Sequence, residues 1–398
     1  MMMRIKIDWK YISVAILGLF FLLPGCMEEK LNPNHATVIV QVKAPEGLVC
    51  DLSGIQVQLQ HTQLTVGYTA VTDQEGKARF DVEYGFYRAQ AQYDYTTEYK
   101  SVVINASSES FIVSNADEHY VEMESVYPRS EQLVFKEIYY SCCKGADGKS
   151  YLKDQYLIIY NNSSDVAYLD SICIGFLDPM NASSSPKGWE GLPYLPVYNF
   201  MWMFPGSGMD HPLQPGEQAV VGVNGINHIA LGNTNSVDLS KAGYWAMYDE
   251  KANLTNQSVP APGVVCMQNI WKFAGTAATC STISPAWIMW KINNMSVDEF
   301  LEKHLVKHPI NITSNTRYMT VPVEWVYDGV ECFRDADCVK RLPAAIDNGF
   351  SVLPEGMGSG YSVHRIKNEQ LSTPERTVYM DTNDSSKDFV KQIPSLKN

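Results

Sequence analysis

The chain has 398 residues, with 31 Lys and Arg against 44 Asp and Glu, a formal net charge of −13, and 45% hydrophobic side chains. That acidic balance argues against nucleic acid or an anionic lipid surface as partner, because both require a basic face. The apolar content excludes a disordered chain, and the length exceeds one ordinary domain, which indicates two or three.

The first element is a processed one. Met1–Lys10 carries Arg4, Lys6 and Lys10 against Asp8, and Tyr11–Leu23 is an uncharged apolar run. A basic stretch before an apolar run this short is a signal peptide, since the run is below the roughly 20 residues that span a bilayer. It ends in Leu23-Pro24-Gly25-Cys26, which resembles the bacterial lipobox, where the cysteine receives lipid. Residues 1–25 are then removed and Cys26 becomes the anchor. Removal leaves 28 basic against 43 acidic residues, a net charge of −15. Residues 26–35 form a tether without periodicity. Its acidic Glu28 and Glu29 resemble the export signals of surface-displayed lipoproteins, implying an outer-membrane protein that faces the exterior.

Residues 36–126 show short alternating runs. Thr37–Val42, Ile55–Leu59, Ala78–Val82 and Phe86–Ala89 each have strand periodicity, and Thr72–Lys77 has turn chemistry. The spacing predicts a small antiparallel β-sandwich. Thr72-Asp73, Gly76, Phe80 and Gly85-Phe86-Tyr87-Arg88 resemble the carboxypeptidase regulatory-like, or prealbumin-like, domain, which implies a structural or docking module.

A polar linker around Pro128 leads to a second unit over 132–398. Leu133–Tyr140, Gln155–Ser163 and Ala167–Asp170 near its start, with Tyr361–Ile366 and Tyr379–Asp384 near its end, resemble a lamin-tail type immunoglobulin-like sandwich. A long insertion is expected at about 180–350. Inside it, Phe204–Gly208, His211–Glu217 and Asn235–Ser240 resemble a poorly characterised family of Gram-negative lipoproteins. That family in turn resembles accessory lipoproteins encoded beside TonB-dependent receptors, some in iron or siderophore uptake. One convincing helix is predicted from Ser296 to about His308, opened by a Ser296-Val297-Asp298-Glu299 capping box and stopped by Pro309.

Besides Cys26 there are eight cysteines, Cys50, Cys142, Cys143, Cys173, Cys266, Cys280, Cys332 and Cys338. An even count in an oxidising compartment allows full pairing. Short spacers favour Cys266 with Cys280 and Cys332 with Cys338; zinc is the alternative, without a Cys-x-x-Cys to support it. His304 and His308 lie four apart on the predicted helix, the spacing a metal needs, yet Lys303 and Lys307 flank them, so a solvated polar face is the competing reading. Asp328, Asp335 and Asp337, and separately Asp381, Asn383, Asp384 and Asp388, have the oxygen density that suits calcium but lack an EF-hand pattern. Tyr198, Trp202 and Phe204 belong to the most aromatic run, 194–204. Exposed, they would anchor a hydrophobic ligand or protein; buried, they are core. Trp287, Trp290 and Trp325 carry the same two readings. Nucleophile-elbow, phosphate-loop and Rossmann patterns are missing.

The sequence thus predicts a mainly β, two-unit lipoprotein without catalysis or cofactor. It is expected to be a binding or accessory subunit of a TonB-dependent uptake system, taking a small ligand such as a metal chelate. The alternatives are an adhesion or scaffold lipoprotein and a metal-dependent hydrolase.

Overall fold

The computed structural model describes residues 34–45, 49–64, 66–96, 101–126, 132–292, 295–335 and 337–397. Cys26 and nearly all of the tether lie outside the described residues.

The protein is mainly β. Strands β1 (His35–Val42), β2 (Gln56–His61), β3 (Gly67–Val71), β4 (Lys77–Glu83), β5 (Gly85–Thr96), β6 (Ser101–Ser107), β7 (Phe111–Val113) and β8 (His119–Val126) build the first unit. They run in the order β3-β2-β5-β6-β8-β1-β4, with β7 on β5. Alternation dictates this arrangement. In β4 the pattern Lys77-Ala78-Arg79-Phe80-Asp81-Val82-Glu83 buries every second side chain, as a sheet with one wet face requires. Val38, Val40, Val57, Leu59, Phe80, Val82 and Tyr87 meet in one core. Gly76 takes φ +76° in the β3–β4 turn, where its N–H donates to Asp73 O.

The second unit is layered. Its first sheet is centred on β9 (Leu133–Tyr139), flanked on one side by Tyr156–Asn161 and Gln218–Gly222, and on the other by Ser362–Arg365 and Phe389–Gln392. Its second sheet pairs Phe200–Met203, Ile172–Phe176, Ala286–Lys291 and Val326–Phe333. Residues 180–350 supply most of this second sheet and three strands of the first, Gln218–Gly222, Trp245–Ala246 and Val265–Cys266, so they are part of the layered body.

The aromatic run is explained by that layering. All four residues of Phe200–Met203 are buried because both faces of the second sheet are covered. Phe200 and Trp202 point into the core between the two sheets, while Met201 and Met203 enter another core beneath the helix. Phe204 is fully buried against Trp245, ring centroids 4.9 Å apart. Trp202 and Phe204 are therefore core residues and cannot anchor a ligand at the surface. Tyr198 is half-buried and packs on Phe176. Trp287 and Trp290 are fully buried too, and Trp325 packs at the edge of the core beneath the helix.

The helix has its capping box, with Glu299 N–H donating to Ser296 Oγ at 3.2 Å and Ser296 N–H to Glu299 Oε2 at 2.9 Å. It spans Val297–His304, one turn shorter than expected. Leu305–Lys307 leaves it to pair with Arg317–Met319, and Thr320 Oγ1 donates to the orphan carbonyl of His304 at 3.0 Å. Sheet hydrogen bonds and the β-branched Val306 win over helical continuation.

Candidate functional site

A cavity of about 1090 Å³ lies where the two units meet. Clefts between domains are where ligand sites concentrate. One wall comes from the first unit, with Arg88 from β5, Ser107, Glu109 and Ser125; the other comes from Asp178, Trp189, Tyr194, Glu324 and Lys340, with several prolines between them. Arg88 also borders a second cavity of about 610 Å³. There the outward glutamines of β2 and β5 (Gln56, Gln58, Gln60, Gln90, Gln92) face Phe333 and Phe350, whose rings stack at 4.3 Å. Gln92, Asn105, Thr382 and Lys387 hold the units together between the openings.

Local sequence sets each wall. Gly188 and Gly191 adopt φ +84° and +71° around Trp189, whose N–H donates to Pro186 O at 2.8 Å. This turn seats the indole against Tyr194, His308 and Tyr318, at 6.1, 5.4 and 5.6 Å. The Trp189 indole N–H has no hydrogen-bond partner among the described residues. Arg88 donates through Nε to Ser108 O at 3.2 Å, and burial lowers its pKa, partly offset by Glu109. Burial likewise raises the Asp178 carboxyl, against the pull of His308 and Arg341. Lys340 donates to Gly349 O at 2.6 Å. Behind it the fully buried Glu331 accepts from Arg341 at 2.9 Å, and Arg341 fixes the backbone oxygens of Pro179, Met180 and Ser284. A groove with aromatic, proline and mixed-charge walls suits an organic ligand or an extended chain better than a bare ion.

The residues singled out from sequence are scattered. His304 ends the helix, wedged between Phe300 and Trp325 at 4.9 and 5.4 Å. His308 lies beyond the following strand, and its Nδ1 accepts from the N–H groups of Ile310 and Asn311. The pair does not share a helical face, because the helix ends at His304, so the metal spacing is lost. No cluster of three or more His, Cys, Asp or Glu with metal-holding geometry exists among the described residues.

The eight described cysteines form no disulfide. Cys266 is exposed while Cys280 is buried, and Cys332 is buried while Cys338 is half-exposed, so short spacing did not bring either expected pair together. Burial pushes the Cys143 and Cys280 thiols up to about 12 and raises those of Cys142, Cys173 and Cys332 as well. These are inert thiols.

The acidic runs gather around a guanidinium that sequence reading missed. Arg365 donates to Asp328 Oδ2 at 2.6 Å and Asp381 Oδ1 at 3.0 Å, with Asp388 Oδ2 at 3.6 Å. Asp335 is half-exposed and pairs with Arg334 at 2.6 Å instead. Ser362, His364 and Glu137 also meet. The geometry is not that of a triad, because Ser362 Oγ (2.7 Å) and Glu137 Oε1 (3.3 Å) both face the same His364 Nε2. Ser362 also donates to Glu137 at 2.9 Å and is fully buried. A general base needs its other nitrogen on the carboxylate and an accessible nucleophile. The cluster is structural.

A family model described as a protein of unknown function, DUF4876, matches residues 214–395. Among solved structures, the chain is similar to a DUF4876 family protein from Bacteroides thetaiotaomicron, at 22% identity and a TM-score of 0.55, over 90% of this chain and 98% of that one. It is also similar to a DUF3823 family protein from Parabacteroides merdae, at 13% identity and a TM-score of 0.17, over 37% of this chain and 67% of that one. No curated protein matches. The first likeness establishes a shared fold.

Proposed function

We propose that the protein is a non-catalytic, lipid-anchored binding or accessory subunit. In this reading it sits on the outer membrane, facing outward, beside a TonB-dependent receptor, and receives a small organic ligand such as a metal chelate in the cleft between its units. The observation that carries the proposal is that cleft, of a size suited to an organic ligand and walled by Trp189, Tyr194, Arg88 and Lys340. The lipobox at Cys26 and the sequence resemblance to receptor-associated lipoproteins supply the location and the partner. A tethered body of this kind raises the local concentration of its ligand near the channel.

Two measurements test this. Affinity purification of the lipidated protein from solubilised outer membranes is expected to recover a TonB-dependent receptor; repeated recovery of none overturns the partner. Siderophore-bound iron is expected to raise the melting temperature, and Trp189→Ala to abolish that rise without unfolding the free protein.

A further inference from the structure

The sheet face that the first unit turns toward the second cavity is built of neutral amides. In β4 the outward side chains are Lys77, Arg79, Asp81 and Glu83, charges that suit a strand face in water. In β2 every outward position is a glutamine, Gln56, Gln58 and Gln60. On the neighbouring β5, Gln90 stands directly opposite Gln58, with their Cβ atoms about 5 Å apart. These four glutamines line the cavity of about 610 Å³. Gln92 lines it too, but its amide is occupied at the junction, donating to Asn105 Oδ1 at 2.9 Å and accepting from Lys387. The side-chain amides of Gln56, Gln58, Gln60 and Gln90 hold no hydrogen bond among the described residues.

The opposite wall supplies an aromatic ring and an unsatisfied amide. Phe350 is half-buried and stacks on the buried Phe333 at 4.3 Å, which fixes its plane. Asn348 is 6% exposed and lines the same cavity, and its Oδ1 has no hydrogen-bond partner among the described residues. Buried acceptors are normally paired, so this oxygen calls for a donor from outside the chain. The loop carrying both residues is held in place. Asn348 N–H donates to Asn383 O at 2.6 Å, Gly349 N–H to Asp347 Oδ1 at 3.1 Å, and Lys340 to Gly349 O at 2.6 Å. The other cations have protein partners as well, since Lys387 pairs with Asp384 at 3.4 Å and Arg88 donates to Ser108 O at 3.2 Å. A ligand therefore meets free amides and a ring, which favours an uncharged one.

We infer that this second cavity binds a neutral oligosaccharide. Each sugar hydroxyl carries one donor and two acceptor sites, and each primary amide a carbonyl acceptor and two N–H donors, so a row of amides matches a row of hydroxyls. The C–H face of a sugar ring is apolar and lies flat on a ring such as Phe350. An extended peptide fits less well, because β2 and β5 have neighbours on both sides and offer no free backbone edge. The volume falls within the range of about 300–1,000 Å³ typical of small-molecule sites. Trp189, which carries the ligand reading of the first cleft, does not line this cavity, so the two sites are separable.

The test applies the full-length chain to an array of neutral glycans spanning hexose, pentose and N-acetylhexosamine oligomers, in parallel with an array of extended peptides. Retention by at least one neutral glycan is expected. Retention by no glycan, by acidic glycans alone or by peptides alone overturns the inference. Isothermal titration with the best-retained trisaccharide then locates the site. Gln58→Ala combined with Gln90→Ala, both on the outward face of the sheet, is expected to weaken binding at least tenfold at an unchanged melting temperature. Phe350→Leu, which keeps the apolar bulk and removes the ring, is expected to weaken it at least fivefold. Unchanged affinity in both variants overturns the inference. Trp189→Ala is expected to leave the affinity for the sugar as it is; a tenfold loss there places the sugar in the first cleft and refutes this site alone. Sugar binding that persists while siderophore-bound iron fails to raise the melting temperature refutes the chelate reading alone.

Discussion

Replacing Arg365 by Met removes the one cation from a buried acidic cluster. The guanidinium donates through Nε to Phe135 O (2.9 Å) and through its other nitrogens to Met380 O, Asp381 and Asp328, and it lies 4.8 Å from the Phe389 ring. Asp328 Oδ2 in turn accepts from Phe135 N–H at 2.6 Å. This position matters because β9 bulges here, where its register with Tyr156–Asn161 skips Lys136, so side chains complete the hydrogen bonding of Phe135. Breaking a buried pair while leaving the partner charge costs about 3–5 kcal/mol. At a urea slope of about 2–3 kcal/mol/M, the midpoint should fall by roughly 1–2 M at pH 8. The pH dependence is the sharper test. In the wild type, burial and the neighbouring Asp328 and Asp388 already hold the Asp381 carboxyl above its ordinary range, against the pull of Arg365. Without Arg365 the Asp381 and Asp388 carboxyls, both already raised by burial, rise further, so the folded variant binds protons that its unfolded chain does not, and its stability falls as pH rises. The gap between variant and wild type should therefore narrow from pH 8 to pH 5. Urea titrations at both values decide the matter, and a gap below 1 kcal/mol at pH 8, or one that does not narrow, refutes the reasoning.

Asp170 accepts from the N–H groups of Gly208, Asp210 and His211 at 3.2, 2.9 and 2.9 Å. Burial raises its pKa, but these donors together more than offset it and the net shift is downward. Asp170→Asn should cost about 1–3 kcal/mol at pH 7. Stability from a lowered carboxyl is fully present above its unfolded pKa and is lost as pH falls through the lower folded pKa, so in urea titrations the cost should shrink progressively as pH drops below about 4. Gly349→Ala should destabilise by steric conflict alone, at about 1–3 kcal/mol by thermal melting, since its Cβ would lie 1.9 Å from Asp384 Oδ1. Alkylation with iodoacetamide followed by peptide mass spectrometry should modify Cys266 first and leave Cys142, Cys143, Cys173, Cys280 and Cys332 protected until denaturant is added. A Cys266–Cys280 crosslinked peptide from unreduced protein contradicts this.

Four strands of the first unit were legible from alternation, while Gly67–Val71, Ser101–Ser107, Phe111–Val113 and His119–Val126 were not among those read from the sequence. Lys77–Glu83 reads polar and apolar in turn, and the backbone follows. The second sheet of the second unit was harder, since Phe200–Met203 and Ala286–Lys291 are covered on both faces and carry no period-2 signal. For the same reason the surface or core status of Trp202 and Phe204 could not be read from composition. The end of the helix at His304 was set by pairing with Arg317–Pro322, a contact that local propensity does not encode. The acidic clusters were visible as clusters, but their cation is Arg365, which neighbours neither Asp328 nor Asp388 in sequence and reaches them only through the sheet. The cleft was invisible for a related reason. Its walls come from Arg88, Trp189 and Lys340, residues that only the docking of the two units brings together.

Among the described residues, side-chain amides of the first unit help to hold that docking, and they make the cleft open to test. Asn105 is 1% exposed, and its Nδ2 donates to Thr382 O at 2.8 Å and to Asn383 O at 3.2 Å; Gln92 Nε2 reaches Thr382 O at 3.5 Å. Interfaces this polar within a chain permit relative motion of the domains. Asn105→Asp keeps the shape of the side chain while replacing its donor by a carboxylate oxygen, which then faces two carbonyl oxygens. The buried, unsatisfied carbonyls and the new charge should cost about 2–4 kcal/mol at the interface alone. The first-unit core around Val38 and Val57 does not involve Asn105, so the unit should stay folded while the junction loosens. Small-angle scattering should report a larger radius of gyration for the variant at pH 8 and a return toward the wild-type value as the new carboxyl is protonated in acid. Equal scattering curves for variant and wild type at pH 8 would mean that apolar contacts, not these amides, set the width of the cleft.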